Sequence, residues 1–210
     1  SKLTSAFISL SSDIFAVLLP INALGVSKLA HDIDVAAQTD GFSAQSFQEW
    51  TYVLDRAGVE AGELGEIMKT LTESQVEVIN GSKDMIAAYE QLGISAAEVA
   101  SLNQEQLWNR TIAALQNVEN ATLRNAIAHQ IFAEDASKLA TVFNMTNQQT
   151  AHLIATYNAL GATMSADLIK KSNMLQASVT NLRAAWQGLR NTLAQAVIPA
   201  VITVVNVLTK

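Results

Sequence analysis

The chain has no cysteine among its 210 residues, so it holds no disulfide, no thiol nucleophile and no thiolate metal ligand. Proline is nearly as scarce: Pro20 and Pro199 are the only two, which leaves long stretches free to be helical. Charged residues make up 15% of the chain against 50% hydrophobic, too apolar a mixture for a disordered polypeptide. Acidic residues outnumber basic ones, 19 to 13, and this balance argues against general binding to nucleic acid, which needs surplus Lys and Arg against phosphate. No segment sustains the apolar–polar alternation of half-buried strands, which argues against an all-β fold. Gly-x-Gly-x-x-Gly, a phosphate loop and a Gly-x-Ser-x-Gly nucleophile elbow are all missing.

What the chain does have is punctuation. Gly25-Val26-Ser27, Gly41-Phe42-Ser43-Ala44, Gly58-Val59-Glu60-Ala61, Gly93-Ile94-Ser95-Ala96-Ala97-Glu98 and Gly161-Ala162-Thr163-Met164-Ser165-Ala166 each set a glycine shortly before a helix-starting residue. Glycine closes one helix in the left-handed conformation, and Ser or Glu begins the next. Ser95 with Glu98 reads as a full capping box. Asn80-Gly81 is a further turn, and Asn103 a further N-cap. Glycines 25, 58 and 93 sit 33 and 35 residues apart, near the period of helical-repeat solenoids, but the aromatic and small residues of a tetratricopeptide unit do not recur with them. Ordinary helix-pair length is the simpler reading.

Between these marks, apolar residues fall at helical spacing. Phe47, Trp50, Leu54 and Ala57 share one face. Leu64, Ile67, Met68, Leu71 and Val78 mark the next helix; Met85, Ile86, Tyr89 and Leu92 another; Leu107, Trp108, Ile112, Leu115 and Val118 another. Leu123, Ile127 and Ile131 follow, then Leu139, Val142 and Phe143, then Leu153, Ile154, Tyr157 and Leu160. The fold class expected is all-α: a multi-helix bundle of short helices, then a long amphipathic, coiled-coil-like C-terminal helix. As one rod, the chain would extend about 315 Å at ~1.5 Å per residue, with interior glycines costing about 1 kcal/mol each. Folding back into a bundle is therefore expected over 25–160.

The two ends read as cut from a longer parent. Leu3 to Leu19 is apolar but for Asp13 and polar Thr and Ser, has no basic region before it to make a signal peptide, and stops at Pro20. An apolar helix over 1–24 is expected there. Ala194 to Leu208 is apolar with interruptions at Gln195, Pro199 and Asn206, short of the roughly 20 residues that span a bilayer. Pro199 is expected to break or kink the long helix of 161–198, so that 199–210 starts a further apolar helix where membrane contact could occur.

The long helix carries the clearest candidate surface. Leu168, Leu175, Leu182 and Leu189 recur every seven residues, with Ser172, Val179, Trp186 and Leu193 four further on. In heptad terms leucine fills d and the second set fills a. Leu168, Leu175, Val179, Leu182, Trp186, Leu189 and Leu193 are the self-association candidates, consistent with a homo-oligomer. The flanks do not complement: Ile169, Gln176, Arg183 and Arg190 at e face Lys171, Ser178, Ala185 and Thr192 at g, with no acids. Packing of this helix on its own bundle is the other reading. Charge is uneven too. Residues 1–164 carry 8 basic and 18 acidic side chains, net −10, and residues 165–210 carry 5 and 1, net +4.

Residues suited to chemistry are few. His31 beside Asp32 and Asp34, His129 before Glu134 and Asp135, and His152 do not give the paired spacing of a zinc site. Glu60, Glu63, Glu66 and Glu73 fall on the polar face of their helix. Met68, Met85, Met145, Met164 and Met174 are scattered core fillers, and Trp50, Trp108 and Trp186 read as core anchors. No catalytic residue, cofactor site or metal site is assigned, and no enzymatic activity is expected.

Two runs and a terminal segment, in this order, resemble the tape measure proteins of tailed bacteriophages. Residues 41–71, GFSAQSFQEWTYVLDRAGVEAGELGEIMKTL, look like the family segment in which a helix with an aromatic centre passes through a Gly-Val turn into a second amphipathic helix. Residues 90–143 look like the segment that follows, with a Leu-Gly-Ile-Ser turn before a helix and an Arg-containing helix after it. Where the family often has Phe-Gly, this chain has Phe132-Ala133-Glu134-Asp135. Residues 186–208, WQGLRNTLAQAVIPAVITVVNVL, place Trp186 and Pro199 at familiar positions. Together the likeness covers about 22–205.

The resemblance implies a structural virion protein in the lumen of the tail tube, made in the host bacterial cytoplasm. Its extent would set tail length, and it would leave ahead of the DNA at ejection. Phages, prophages, gene-transfer particles and tail-like bacteriocins all use such proteins. Implied partners are the tail tube protein, a tail assembly chaperone and baseplate proteins. A helical interaction module (an adaptor or α-solenoid fragment) and a membrane-active helical domain are the alternatives.

Overall fold

A computed structural model describes the backbone of residues 21–161 and 163–208, and the side-chain surroundings of these except 21–24, 26, 61 and 193–208. Most of the apolar helix expected over 1–24 lies outside the described residues. Ten α-helices form, with no strand among the described residues: the chain is all-α. They are α1 (Ile21–Thr39), α2 (Ala44–Arg56), α3 (Leu64–Ile79), α4 (Lys83–Gln91), α5 (Ala96–Ser101), α6 (Gln104–Gln116), α7 (Ala121–Phe132), α8 (Ala140–Asn144), α9 (Asn147–Ala159) and α10 (Ala166–Leu208). Short 3-10 turns occupy Ala61–Glu63 and Ala133–Ser137.

The chain divides into two compact units. One is Asp32–Ala166, and the other takes its described residues from α1 up to His31 and from α10 beginning at Asp167. The bundle boundaries expected at 25 and 160 thus fall at 32 and 166. Gly25, read as a helix break, lies inside α1 and does not take a left-handed φ. An interior glycine costs only about 1 kcal/mol against alanine, less than a terminus with its unpaired amides and carbonyls. Ser27, expected to start a helix, instead donates its hydroxyl to the Ser172 carbonyl at 2.7 Å, both residues buried within the second unit.

The other punctuation behaves as its chemistry dictates. Gly41, Gly58, Gly81, Gly93 and Gly161 all have φ between 65° and 85°. At Gly41 the demand is double, because a Cβ there would stand 2.7 Å from the Gln104 Cβ. Ser43, Ser82, Ser95, Asn103, Asn120 and Thr146 each accept an amide of the first turn of the following helix. The Ser95 box is only half made. Ser95 Oγ accepts the Glu98 amide at 3.2 Å, but the Glu98 carboxylate turns to Arg110 Nε at 2.9 Å. A charge-assisted bond to guanidinium wins over a neutral amide. Reciprocal boxes close instead at Asn103 with Gln106 and at Thr146 with Gln149.

In the unit Asp32–Ala166, α3 is the central helix, packed by α4, α5, α6 and α7, while α9 lies on α2 and α8 on α6. Leu64, Ile67 and Leu71 of α3 have no exposed surface, and neither do Leu107, Trp108 and Leu115 of α6. An aromatic chain runs through this core. The Trp108 ring meets Trp50 edge-on at 5.3 Å, Phe42 at 6.4 Å and Phe132 at 6.1 Å, and Phe132 continues to Phe143 at 5.9 Å. Edge-to-face pairs of this kind add about 0.5–1.5 kcal/mol to the area they bury. Trp50 also donates its Nε1–H to Asn109 Oδ1 at 2.8 Å. Most apolar residues assigned to the core are buried, but Leu123 and Leu160 are not, at 45% and 67% exposed, and Met174 of α10, read as a core filler, is 62% exposed. Leu123 stands in the first turn of α7, and Leu160 is the residue capping α9, so both overhang the helix ends.

Helix α10 is 43 residues long and passes through Pro199, where a break or a new helix was expected. Proline there removes one amide donor and crowds the preceding turn. Ending the helix would orphan four carbonyls and four amides and require a second nucleus, so continuing is the cheaper arrangement.

Candidate functional site

Helix α10 starts with an acid near its N-terminus, where the helix dipole favours negative charge. Asp167 there holds Lys171, one turn on, at 2.7 Å. Beyond Asp167 the sequence has no acidic residue. The self-association candidates do not share one environment. Val179 is buried, Leu175 and Trp186 are half-buried, and Leu168, Leu182 and Leu189 are 43%, 54% and 49% exposed. The side chain of Leu193 is outside the described residues. Burial follows a line through Ile169, Ser172, Gln176 and Val179, which are the a and e positions of the heptad. Ile169, assigned to a flank, is the most buried residue described on this helix, at 3% exposed. The leucines at d therefore stand at the edge of the buried line in the first half of α10. Over 180–192, among the described residues, only Trp186 is partly covered.

Within the chain, the covered side of α10 is that of Ile169, Ser172 and Val179, while Leu182 and Leu189 stay exposed. Small residues lie beside these in the second unit: the Ser172 carbonyl accepts from the Ser27 hydroxyl, and Ala30 is fully buried. The point of attachment is the backbone carbonyl of Ser172, which any residue at that a position would offer, so no pattern in the sequence marks it.

Polar side chains of the unit Asp32–Ala166 converge in three places. Gln75 Nε2, buried on α3, donates to the carbonyls of Val99 at 2.7 Å and Leu102 at 2.9 Å, and its Oε1 accepts from Gln104. Thr72 Oγ1 donates to Gln104 Oε1 at 2.9 Å, so the α5–α6 connection is pinned to α3. Glu105 takes both the Ser43 amide and the Ser46 hydroxyl, tying α6 to the start of α2. Lys138 lies 3.0 Å from Asp135 and 3.3 Å from Glu63, and Thr70 donates to Asp135 at 2.8 Å. The bond to Asp135 is the main reason the Lys138 ammonium is pushed above its usual pKa. No signal in the sequence pairs these groups, whose partners are mostly 24 to 65 positions apart. What they touch is backbone and one another, and their evident work is to fix helices.

The histidines are all exposed. His31 and His152 stand on helix surfaces, while His129 Nδ1–H donates to the Ala133 carbonyl at 3.0 Å. Glu60, Glu66 and Glu73 are exposed, and Glu63 is half-buried against Lys138. Among the described residues no group of three His, Cys, Asp or Glu is placed to hold a metal ion, and no helix is long and apolar enough to cross a membrane.

The buried Tyr89 hydroxyl shares a 2.8 Å hydrogen bond with Ser74, and burial pushes its pKa up to about 12. Among the described residues, Ala133 is the one with a positive φ that is not glycine, at φ 48° and ψ −126°, just beyond the end of α7.

Comparison with protein-family models, with curated proteins and with solved structures finds no match.

Proposed function

We propose that this chain is a structural protein of the tape measure type, working by its extent within a phage or phage-like tail. The observation that carries the reading is the order of its pieces along the sequence: the aromatic-centred helix pair of 41–71, the turn and helices of 90–143, and the long helix bearing Trp186 and Pro199. A 43-residue helix is the element such a role needs, extending about 65 Å at ~1.5 Å per residue. A helical chain also suits a ruler because its length is additive in residues. Its acidic part, net −10 over 1–164, repels DNA passing the same lumen. In this reading the unit Asp32–Ala166 is the compact form of a segment that lengthens on assembly. Helices permit that change because their backbone hydrogen bonds are internal to each element.

The test is to purify tails from a lysate of the source organism and probe them with antibody raised against this chain. The reading expects the chain inside intact tails, protected from protease until ejection. Its absence from tails that are otherwise complete would refute it. A helical interaction module is the second reading, favoured by the exposed Leu182 and Leu189 of α10.

A further inference from the structure

We propose that the outer face of α10 over 175–190 is a docking surface for an amphipathic helix with acidic flanks, supplied by another protein. The inference does not depend on the tape measure reading. Leu182 and Leu189 are 54% and 49% exposed, one heptad apart, with Trp186 between them and half-buried Leu175 one heptad before. Two leucines so spaced stay within about 20° of each other around a helix, so they form a line that a partner helix can follow. One residue beyond each leucine stands an exposed arginine, Arg183 and Arg190. Among the described residues neither arginine has a carboxylate partner, whereas Lys171 is already held by Asp167. The surface thus joins an apolar line to two unneutralised guanidinium groups on one flank.

Charge selects the occupant. In a parallel pair of two copies, Arg183 and Arg190 at e face Ser178 and Ala185 at g, which offer no charge. In an antiparallel pair the e positions face each other, and arginine meets arginine. A second copy therefore leaves the guanidinium groups unsatisfied or opposed. A helix with leucine on one face and Glu or Asp beside it fills the line and pairs both arginines, in the fork geometry that guanidinium offers carboxylate. This is helix-to-helix recognition read through heptad-spaced anchors.

The experiment uses the full chain and two synthetic amphipathic helices with the same leucine seam, one flanked by glutamate and the other by lysine. Binding is followed by fluorescence anisotropy of the labelled peptides at low and raised salt. The glutamate peptide should bind at least about tenfold more tightly, as two exposed ion pairs with favourable geometry allow, and the advantage should shrink with salt. Replacing both arginines, Arg183→Glu with Arg190→Glu, should reverse the preference between the peptides. Leu182→Gln with Leu189→Gln should abolish binding of both peptides while leaving the helical circular dichroism intact, since these side chains are exposed. Equal binding of the two peptides, or binding of neither, would overturn the proposal. So would a dimer of the chain alone that the leucine substitutions dissolve, because the occupant would then be a second copy.

Discussion

Replacing Ala133 with glycine should stabilise the protein, against the usual direction of such a change. Ala133 sits at φ 48° and ψ −126°, as the first residue of the turn Ala133–Ser137 that follows α7. The conformation is imposed from both sides. Phe132 is fully buried against Trp108 and Phe143, and the His129 ring holds the Ala133 carbonyl. On the far side, Ala136 is buried and Asp135 is gripped by Thr70 and Lys138. Holding a residue with a Cβ in such a region costs about 1–3 kcal/mol. Glycine removes that strain, and its extra freedom in the unfolded chain takes back roughly 0.4–1 kcal/mol. The net gain is about 1 kcal/mol, or a rise of roughly 2–4 °C in Tm for a chain of this size. Urea denaturation followed by circular dichroism should show a higher midpoint with an unchanged slope. The β-branched Ala133→Val should move the midpoint the other way. If glycine instead lowers stability by about 0.5–1 kcal/mol, as at an unstrained alanine, the claim of imposed strain is wrong.

Three further outcomes test the packing. Leu71→Ala empties a fully buried position on the central helix and should cost about 2–5 kcal/mol in urea denaturation. Gln75→Ala leaves the Val99 and Leu102 carbonyls and the Gln104 amide without their partner; a loss of about 2–3 kcal/mol is expected, with faster amide hydrogen exchange across 99–104. Tyr89 supplies a pH test. Its folded pKa, raised to about 12 from 10.0, means that in this window the unfolded chain releases a proton the folded chain retains. Stability should therefore be unaffected by this group below pH 10 and fall by about 1.4 kcal/mol per pH unit above it, in the difference between wild type and Tyr89→Phe. A difference that stays flat from pH 10 to 12 would contradict the burial of that hydroxyl.

Local signals were legible where they act locally. The glycines at 41, 58, 93 and 161 end helices because a left-handed residue is needed within a few positions, and Asn103 starts one for a similarly short-range reason. The apolar faces of α3 and α6 were legible because burial on a helix repeats every three or four residues. Readings failed where a distant group intervened. Glu98 left its capping role for Arg110, twelve positions away, and Ser27 left the role of helix start for Ser172, 145 away. Gly25 and Pro199 failed for another reason: each is a modest local penalty set against the larger cost of ending a helix. The candidate surface on α10 was half legible. Its seven-residue period was in the sequence, but the covered side was fixed by Ile169, Ser172 and Val179, which compete poorly with leucine on composition alone.

The most direct measurement of the central claim is tail length. In-frame deletions within the gene for this chain, made in α10 or in whole helices of Asp32–Ala166, should give shorter tails by electron microscopy. Shortening in proportion to the residues removed is expected, about 1.5 Å for each one. Tails of unchanged length around a stably incorporated, shortened protein would contradict it.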